Sequence, residues 1–331
     1  MEENSEQKQI IEYEYPKFSR IAFSNILDFL LCALVALAIF IPTKKIVENN
    51  SNYAKNSKNF DALKIESNLY VYSEDKTRVQ DIVSFYNASS KYSQSEIEND
   101  LSLRIDDFIV FLTENVSVET GNEVKKIYDD FRLDDSLTFN NSSYFILENN
   151  KVTRNTTANI PSKEYVENVY KVYIDKYALG QFIAKDEVAL NYQKYFSNML
   201  FFVELPISIG LGILIYFYIV PLCFSRGKRT IGKLAFHIGV VNTKCFSPKF
   251  WEFTVNFLIF LFLECLLSVV ALGIPLIISF SMCAFSKKKQ NFHNYITGFY
   301  LVDTTQKIYK DFDEIVKNDL NSNGPVSFRQ K

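Results

Sequence analysis

Histidine is nearly missing from this chain: 331 residues hold only His237 and His293. No H-E-x-x-H helix and no G-x-S-x-G elbow is present, so no hydrolytic centre is expected. Cysteine is sparse as well. Cys32, Cys223, Cys245, Cys265 and Cys283 lie in or beside apolar runs without C-x₂-C spacing, and they read as small packing residues. The chain is therefore expected to be a non-enzyme, with no catalytic residue, no metal and no cofactor. A charged n-region and a small-residue cleavage site are also lacking before the first apolar run, which makes that run a retained anchor.

Charge is what the apolar blocks lack. Residues 21–41, 199–220 and 252–285 are almost free of it, and each meets the roughly 20 residues needed to span a bilayer. Between the first two lies a polar stretch long enough for a domain with its own core. Residues 47–197 carry 17 basic and 24 acidic side chains, whereas the remainder carries 19 and 14. The insert is acidic and free of cysteine, so no intrachain disulfide staples it. The membrane-proximal loops are basic.

Those basic loops set the orientation. Arg226, Lys228, Arg229 and Lys233 follow the second run, and Lys287, Lys288 and Lys289 follow the third. With Lys17 and Arg20 they place both termini in the cytoplasm and the insert outside. Lys44 and Lys45 dissent, at the head of a long exported segment where the rule is weak. The third run is too long for one straight crossing and is interrupted at Gly273-Ile274-Pro275. It reads as a span over 252–272 and a short return over 275–285; the alternative is one kinked, tilted helix.

The expected fold is a polytopic α-helical membrane protein of about four membrane segments, the last two a short hairpin, with an inserted α+β extracytoplasmic domain. In order, the regions are a disordered cytoplasmic N-terminus at 1–14, a first transmembrane helix at 15–42, the external domain at 43–197 and a second transmembrane helix at 198–221. A cytoplasmic loop at 222–251, the membrane hairpin at 252–285, a cytoplasmic motif at 286–303 and a cytoplasmic tail at 304–331 complete the chain. Within the insert, 69–72 and 144–147 read as strands, and 96–114 and 122–132 as helices. A further helix starts at Ser162 and could run into the second span unless Gly180 breaks it. In the tail, Ile308, Phe312, Ile315 and Val316 have helical spacing, and residues after Asn321 read as disordered. The Asn, Lys, Ile and Phe bias suits an AT-rich bacterial genome and a cell-membrane location.

Three acids fall within or at the edge of the spans: Asp28, Glu204 and Glu264. An isolated charge in hydrocarbon costs several kcal/mol, so each needs a partner, water or a function. Glu204 lies near an interface and reads as structural; for Asp28 and Glu264 an ion path and a structural pairing are both open. Residues 227–233 satisfy G-x-x-x-x-G-K, but Leu234 stands where a P-loop needs Ser or Thr, and the loop follows an apolar span. Neither nucleotide nor nucleic acid is expected as a partner.

Three blocks then resemble the RDD family of bacterial membrane proteins, named for one Arg and two Asp residues. They are FSRIAFSNILD with Arg20 and Asp28, TIGKLAFHIGVV with Thr230, Gly232 and Lys233, and FHNYITGFYLV with His293, Asn294 and Gly298. Asn294 stands where the family has its second Asp, and Arg229 where a Gln is usual. The resemblance spans residues 15–42 and 199–303 and implies a role in transport, including sodium/proton exchange. It further implies that the blocks around Lys233 and His293 fold back onto Arg20 and Asp28 in one polar cluster. The missing charge at Asn294 weakens ion exchange. Two readings follow: transport of ions or small solutes through the intramembrane acids, or a non-catalytic scaffold whose external residues 48–195 bind an envelope protein. The lipid bilayer is a partner in both.

Overall fold

The structure, a computed structural model, describes residues 9–304, 307–319 and 326–330. It divides into two compact units, one of residues up to Lys44 together with those from Glu204 onward, the other Lys45–Val203.

Among the described residues three helices are long and apolar enough to cross a bilayer: Phe18–Glu48, Glu187–Cys223 and Phe250–Val270. In the first, Ile21, Ser24, Asp28 and Cys32 are buried at helical spacing. Phe23, Ile26, Phe29, Leu30, Leu34 and Leu37 stay exposed, an apolar band that hydrocarbon would cover. A Cβ on Gly212 would stand 2.9 Å from the Ala36 Cβ, so small residues let the first two spans approach closely.

The third span stops where Leu272 and Gly273 take φ values of 49° and 84°. The chain then reverses into Ile274–Phe285, with Pro275 in the first turn, where its missing N–H costs nothing. Leu276 donates its amide to the Ser268 hydroxyl at 3.2 Å, and the returning helix packs on residues 260–270. Its 12 residues reach only about 18 Å, against roughly 30 Å of hydrocarbon.

Past the second span, and again past the returning helix, the chain makes a short helix and then a strand. Ile231–Ala235 leads to Ile238–Val241, and Phe292–Thr297 leads to Tyr300–Asp303. The strands pair antiparallel, with Val240 opposite Leu301. Alternation sends Ile238, Val240 and Leu301 into one apolar cluster with Ile21, Cys283 and Phe299. Val241 and Val302 point the other way, to Tyr13, Cys245 and Ile308.

Several expectations are corrected here. Residues 9–14 are ordered: Gln9–Tyr13 pairs in parallel with Val326–Gln330, and Asp303 donates its amide to the Glu14 carbonyl at 2.9 Å. Residues 1–8, 322–325 and 331, also expected to be disordered, lie outside the described residues. The tail helix begins only at Phe312. Ile308 precedes it and is buried instead, because glycines at 227 and 239 leave room for its Cδ1.

The Lys45–Val203 unit has helices at Ser51–Glu66, Ile82–Ala88, Gln94–Asn115 and Val118–Arg132, with three two-stranded ribbons between and after them. Ser93 and Glu96 form a capping box that starts the longest of these helices. Leu101, Ile105, Phe108 and Leu112 from that helix meet Val124, Tyr128, Tyr165, Tyr173 and Phe182 in one core. Gly180 does not break the last helical stretch. The break falls at Asp186, whose backbone is extended and whose carboxylate accepts from the Val188 and Ala189 amides, starting the next helix.

Candidate functional site

Asp28 is 2% exposed, and three protein groups donate to it. Its Oδ1 accepts from the Tyr216 hydroxyl at 2.6 Å and from the Gly232 amide at 2.8 Å. Its Oδ2 accepts from the Thr230 hydroxyl at 2.5 Å. Thr230 also caps the helix Ile231–Ala235, accepting from the Lys233 amide. The carboxylate therefore sits at the start of a helix, where free N–H groups favour negative charge. Only glycine fits at 232, since a Cβ there would stand 2.6 Å from Oδ1 and 2.7 Å from Cγ of Asp28.

Arg20 holds the other end of the same short helix. Its guanidinium donates to the Phe236 carbonyl at 2.6 and 3.1 Å and to the His237 carbonyl at 3.0 Å. A third arm forms an ion pair with Asp303. A cation at the last carbonyls complements the helix dipole as the anion does at the first amides. The half-buried Lys233 stands near enough for the Asp28 carboxylate to act on it: burial pushes its ammonium below the usual lysine range, and Asp28 opposes that shift.

Glu264 repeats the arrangement. It is 1% exposed, and its Oε1 accepts from the His293 amide at 2.7 Å and contacts His293 Nδ1 at 2.8 Å. His293 is the second residue of the helix Phe292–Thr297, as Gly232 is of its own helix. At the far end Asn256 donates to Asn294 Oδ1 at 3.1 Å and to Thr297 Oγ1 at 2.7 Å. Asn294, the departure from the family pattern, is thus buried and amide-paired.

The correspondence extends along the chain. One interval separates Arg20 from Asp28 and Asn256 from Glu264; another separates Thr230 from Asn291, Gly232 from His293, and His237 from Gly298. His237 and Gly298 both take left-handed φ values, 53° and 71°. Ile21, Asp28 and Cys32 are buried on the first span, and Phe257, Glu264 and Ser268 match them on the third. The strand pairing has the same two-fold relation, since Val240 faces Leu301, its own counterpart. Residues 225–243 and 286–304 each run from Ser through a basic stretch to Val-Asn/Asp-Thr. That self-similarity was a signal for the repeat, masked because few identical residues survive in it.

The expected single cluster is therefore two. Arg20, Asp28, Thr230, Gly232 and Lys233 gather around one short helix; Glu264, His293, Asn294 and Gly298 gather around the other. The strand pair and the Arg20–Asp303 ion pair link them. Glu204 is buried too, and its backbone carbonyl accepts from the Ser208 hydroxyl. Tyr216, Asn256, Asp303 and Ser279 were missed: the Ser279 hydroxyl accepts from the Phe292 amide at 3.1 Å. In the loop that matches G-x-x-x-x-G-K, the Gly232 amide goes to Asp28 and the Gly227 amide to Ser247. A carboxylate thus occupies the helix start where a P-loop would hold phosphate. Among the described residues no cluster of three or more metal-ligating side chains occurs.

A family model for the RDD family, a family of membrane proteins, matches residues 172–298. The comparisons with curated proteins and with solved structures gave no match. The matched stretch contains both short helices; Arg20 and Asp28 precede it and reach it through the bonds described above. The chain is a multi-pass membrane protein that carries an RDD family domain.

Proposed function

We propose that this protein is a non-catalytic membrane scaffold, whose intramembrane acids lock its helices and whose Lys45–Val203 unit is offered to a partner outside the cell. The observation that carries this reading is the filling of both Asp28 oxygens by three protein donors. A carboxylate offers about four lone-pair sites, so three protein donors leave little room for a travelling cation. Glu264 is likewise buried and is held through Oε1 by the backbone and the ring of His293. The basic loops support cytoplasmic termini. The two-fold correspondence supports four membrane segments, with Ile274–Phe285 in the place of the inner half of the second span.

Transport is the second reading, and Lys233 favours it. Lys233 is half-buried and within the electrostatic influence of Asp28, and no hydrogen bond of its side chain is found among the described residues. Reconstituted vesicles separate the two readings. The scaffold reading expects sodium- and proton-driven fluxes no larger than those of empty vesicles, and capture of an envelope protein by the full chain after cross-linking. A flux abolished by Asp28→Asn in a protein of unchanged thermal stability would establish transport instead.

A further inference from the structure

The loop after the second span carries Arg226, Lys228 and Arg229, and the chain returns across it with Thr304, Lys307 and Ile308. Between them is an open cavity of about 160 Å³ lined by Arg226, Arg229, Thr304, Lys307 and Ile308. Gly227, at φ 74°, turns the loop and leaves room for Ile308 at the cavity floor.

Positive charge in this cavity is not balanced. Glu314 serves two of the cations, meeting Arg226 at 2.5 Å and Lys307 at 3.6 Å. Arg229 has no hydrogen bond or ion pair among the described residues, and its Nε is buried without an acceptor. Leaving such a donor unmet is costly. Burial pushes the Arg229 guanidinium below its ordinary range, with no carboxylate opposing the shift. Lys228 is pushed down too, by burial and by the neighbouring charge of Lys310. Each effect is one that a bound anion would reverse.

We propose that this cavity binds a phosphate group, with Arg229 as its anchor, Arg226 and Lys307 as flanking charges and Thr304 as a hydroxyl donor. A guanidinium presents a planar fork of donors suited to phosphate oxygens. Arg226 follows the end of the second span at Cys223 by so few residues that the extended chain allows only about 10 Å between them. That places the cavity near lipid headgroup depth, so a phospholipid headgroup and free phosphate are the two sources of this chemistry. The site is separate from the Asp28 and Glu264 clusters and does not depend on the scaffold reading.

The test uses the full chain purified in neutral detergent, titrated separately with inorganic phosphate and with phosphatidylglycerol micelles. Thermal midpoint and native mass spectrometry are the readouts. At least one probe is expected to bind, at least 10-fold more weakly to Arg229→Gln, with Arg229→Lys intermediate. Lys288→Gln, on the Tyr300 ring, is expected to match the unaltered protein. Phosphatidylglycerol alone binding assigns a lipid headgroup; phosphate binding assigns a free anion; either upholds the proposal. Equal binding by Arg229→Gln, or no binding of either probe by the unaltered chain, overturns it. Should Arg229→Gln not fold, Lys307→Gln at the exposed rim takes its place: weakened binding upholds the site, and unchanged binding overturns it.

Discussion

Arg20 and Asp28 hold opposite ends of one short helix and do not bond to each other: the carboxylate takes the Gly232 amide, and the guanidinium takes the Phe236 and His237 carbonyls. The carboxylate that pairs with Arg20 is Asp303, far along the chain. A double-mutant cycle distinguishes the two acids. Arg20→Ala with Asp303→Ala is expected to show a coupling energy of about 1–3 kcal/mol in thermal or denaturant unfolding. The cycle of Arg20→Ala with Asp28→Ala is expected to give a smaller coupling, carried only through the shared helix. The reverse order would contradict the arrangement.

Close approach at Gly232 makes the second prediction. Gly232→Ala drives a Cβ into the Asp28 carboxylate and is expected to lower stability by about 1–3 kcal/mol, the range for overpacking. Gly210→Ala, where nothing lies within 4 Å, is the control. It is expected to leave the midpoint unchanged or raise it slightly, because alanine suits a helix interior better than glycine. Equal losses at the two positions would remove the steric account.

Tyr216 supplies one of the two bonds to Asp28 Oδ1. Tyr216→Phe deletes that hydroxyl and keeps the ring, and in a membrane interior such a bond is worth about 0.6–2 kcal/mol. Unfolding of the full chain in detergent is expected to show a loss of that size. In an Asp28→Ala background the loss is expected to vanish. A loss that persists there would mean that the hydroxyl acts on something else.

The ribbon Tyr70–Tyr72 and Val79–Asp81 turns around Asp75, whose Oδ1 accepts from the Ser73 hydroxyl at 2.5 Å, the Thr77 hydroxyl at 2.8 Å and the Thr77 amide at 3.1 Å. Those bonds, the Ser73 hydroxyl first, hold its pKa down at about 2. A depressed carboxylate contributes above the unfolded value near 3.8 and loses that contribution as pH falls through about 2. Acidification from pH 4 to 2 is expected to loosen this turn, seen as shifts in the Ser73 and Thr77 signals by nuclear magnetic resonance. Asp75→Asn is expected to show no such titration.

Much of this fold was readable in the sequence, for physical reasons. Charge-free runs announce spans directly, Gly273-Ile274-Pro275 announces the reversal, and the apolar spacing over 96–114 announces a helix. The candidate site was readable only as residues. Asp28 demanded a partner, yet the donors are a tyrosine inside another span, a threonine and a backbone amide of a glycine, none of which advertises itself. One polar cluster around Arg20 and Asp28 was expected from the charged side chains, and two formed because helix ends carry charge that no side-chain count includes. Asp186 was overlooked in favour of Gly180 because glycine is tolerated in a packed helix, whereas an aspartate that caps the next turn ends one.

The central claim is that Asp28 and Glu264 each secure the start of a short helix. Amide hydrogen exchange at Gly232 and His293 in the full chain, with and without Asp28→Asn, tests it most directly. The account predicts at least 10-fold faster exchange at Gly232 and unchanged exchange at His293; unchanged protection at Gly232 would contradict it.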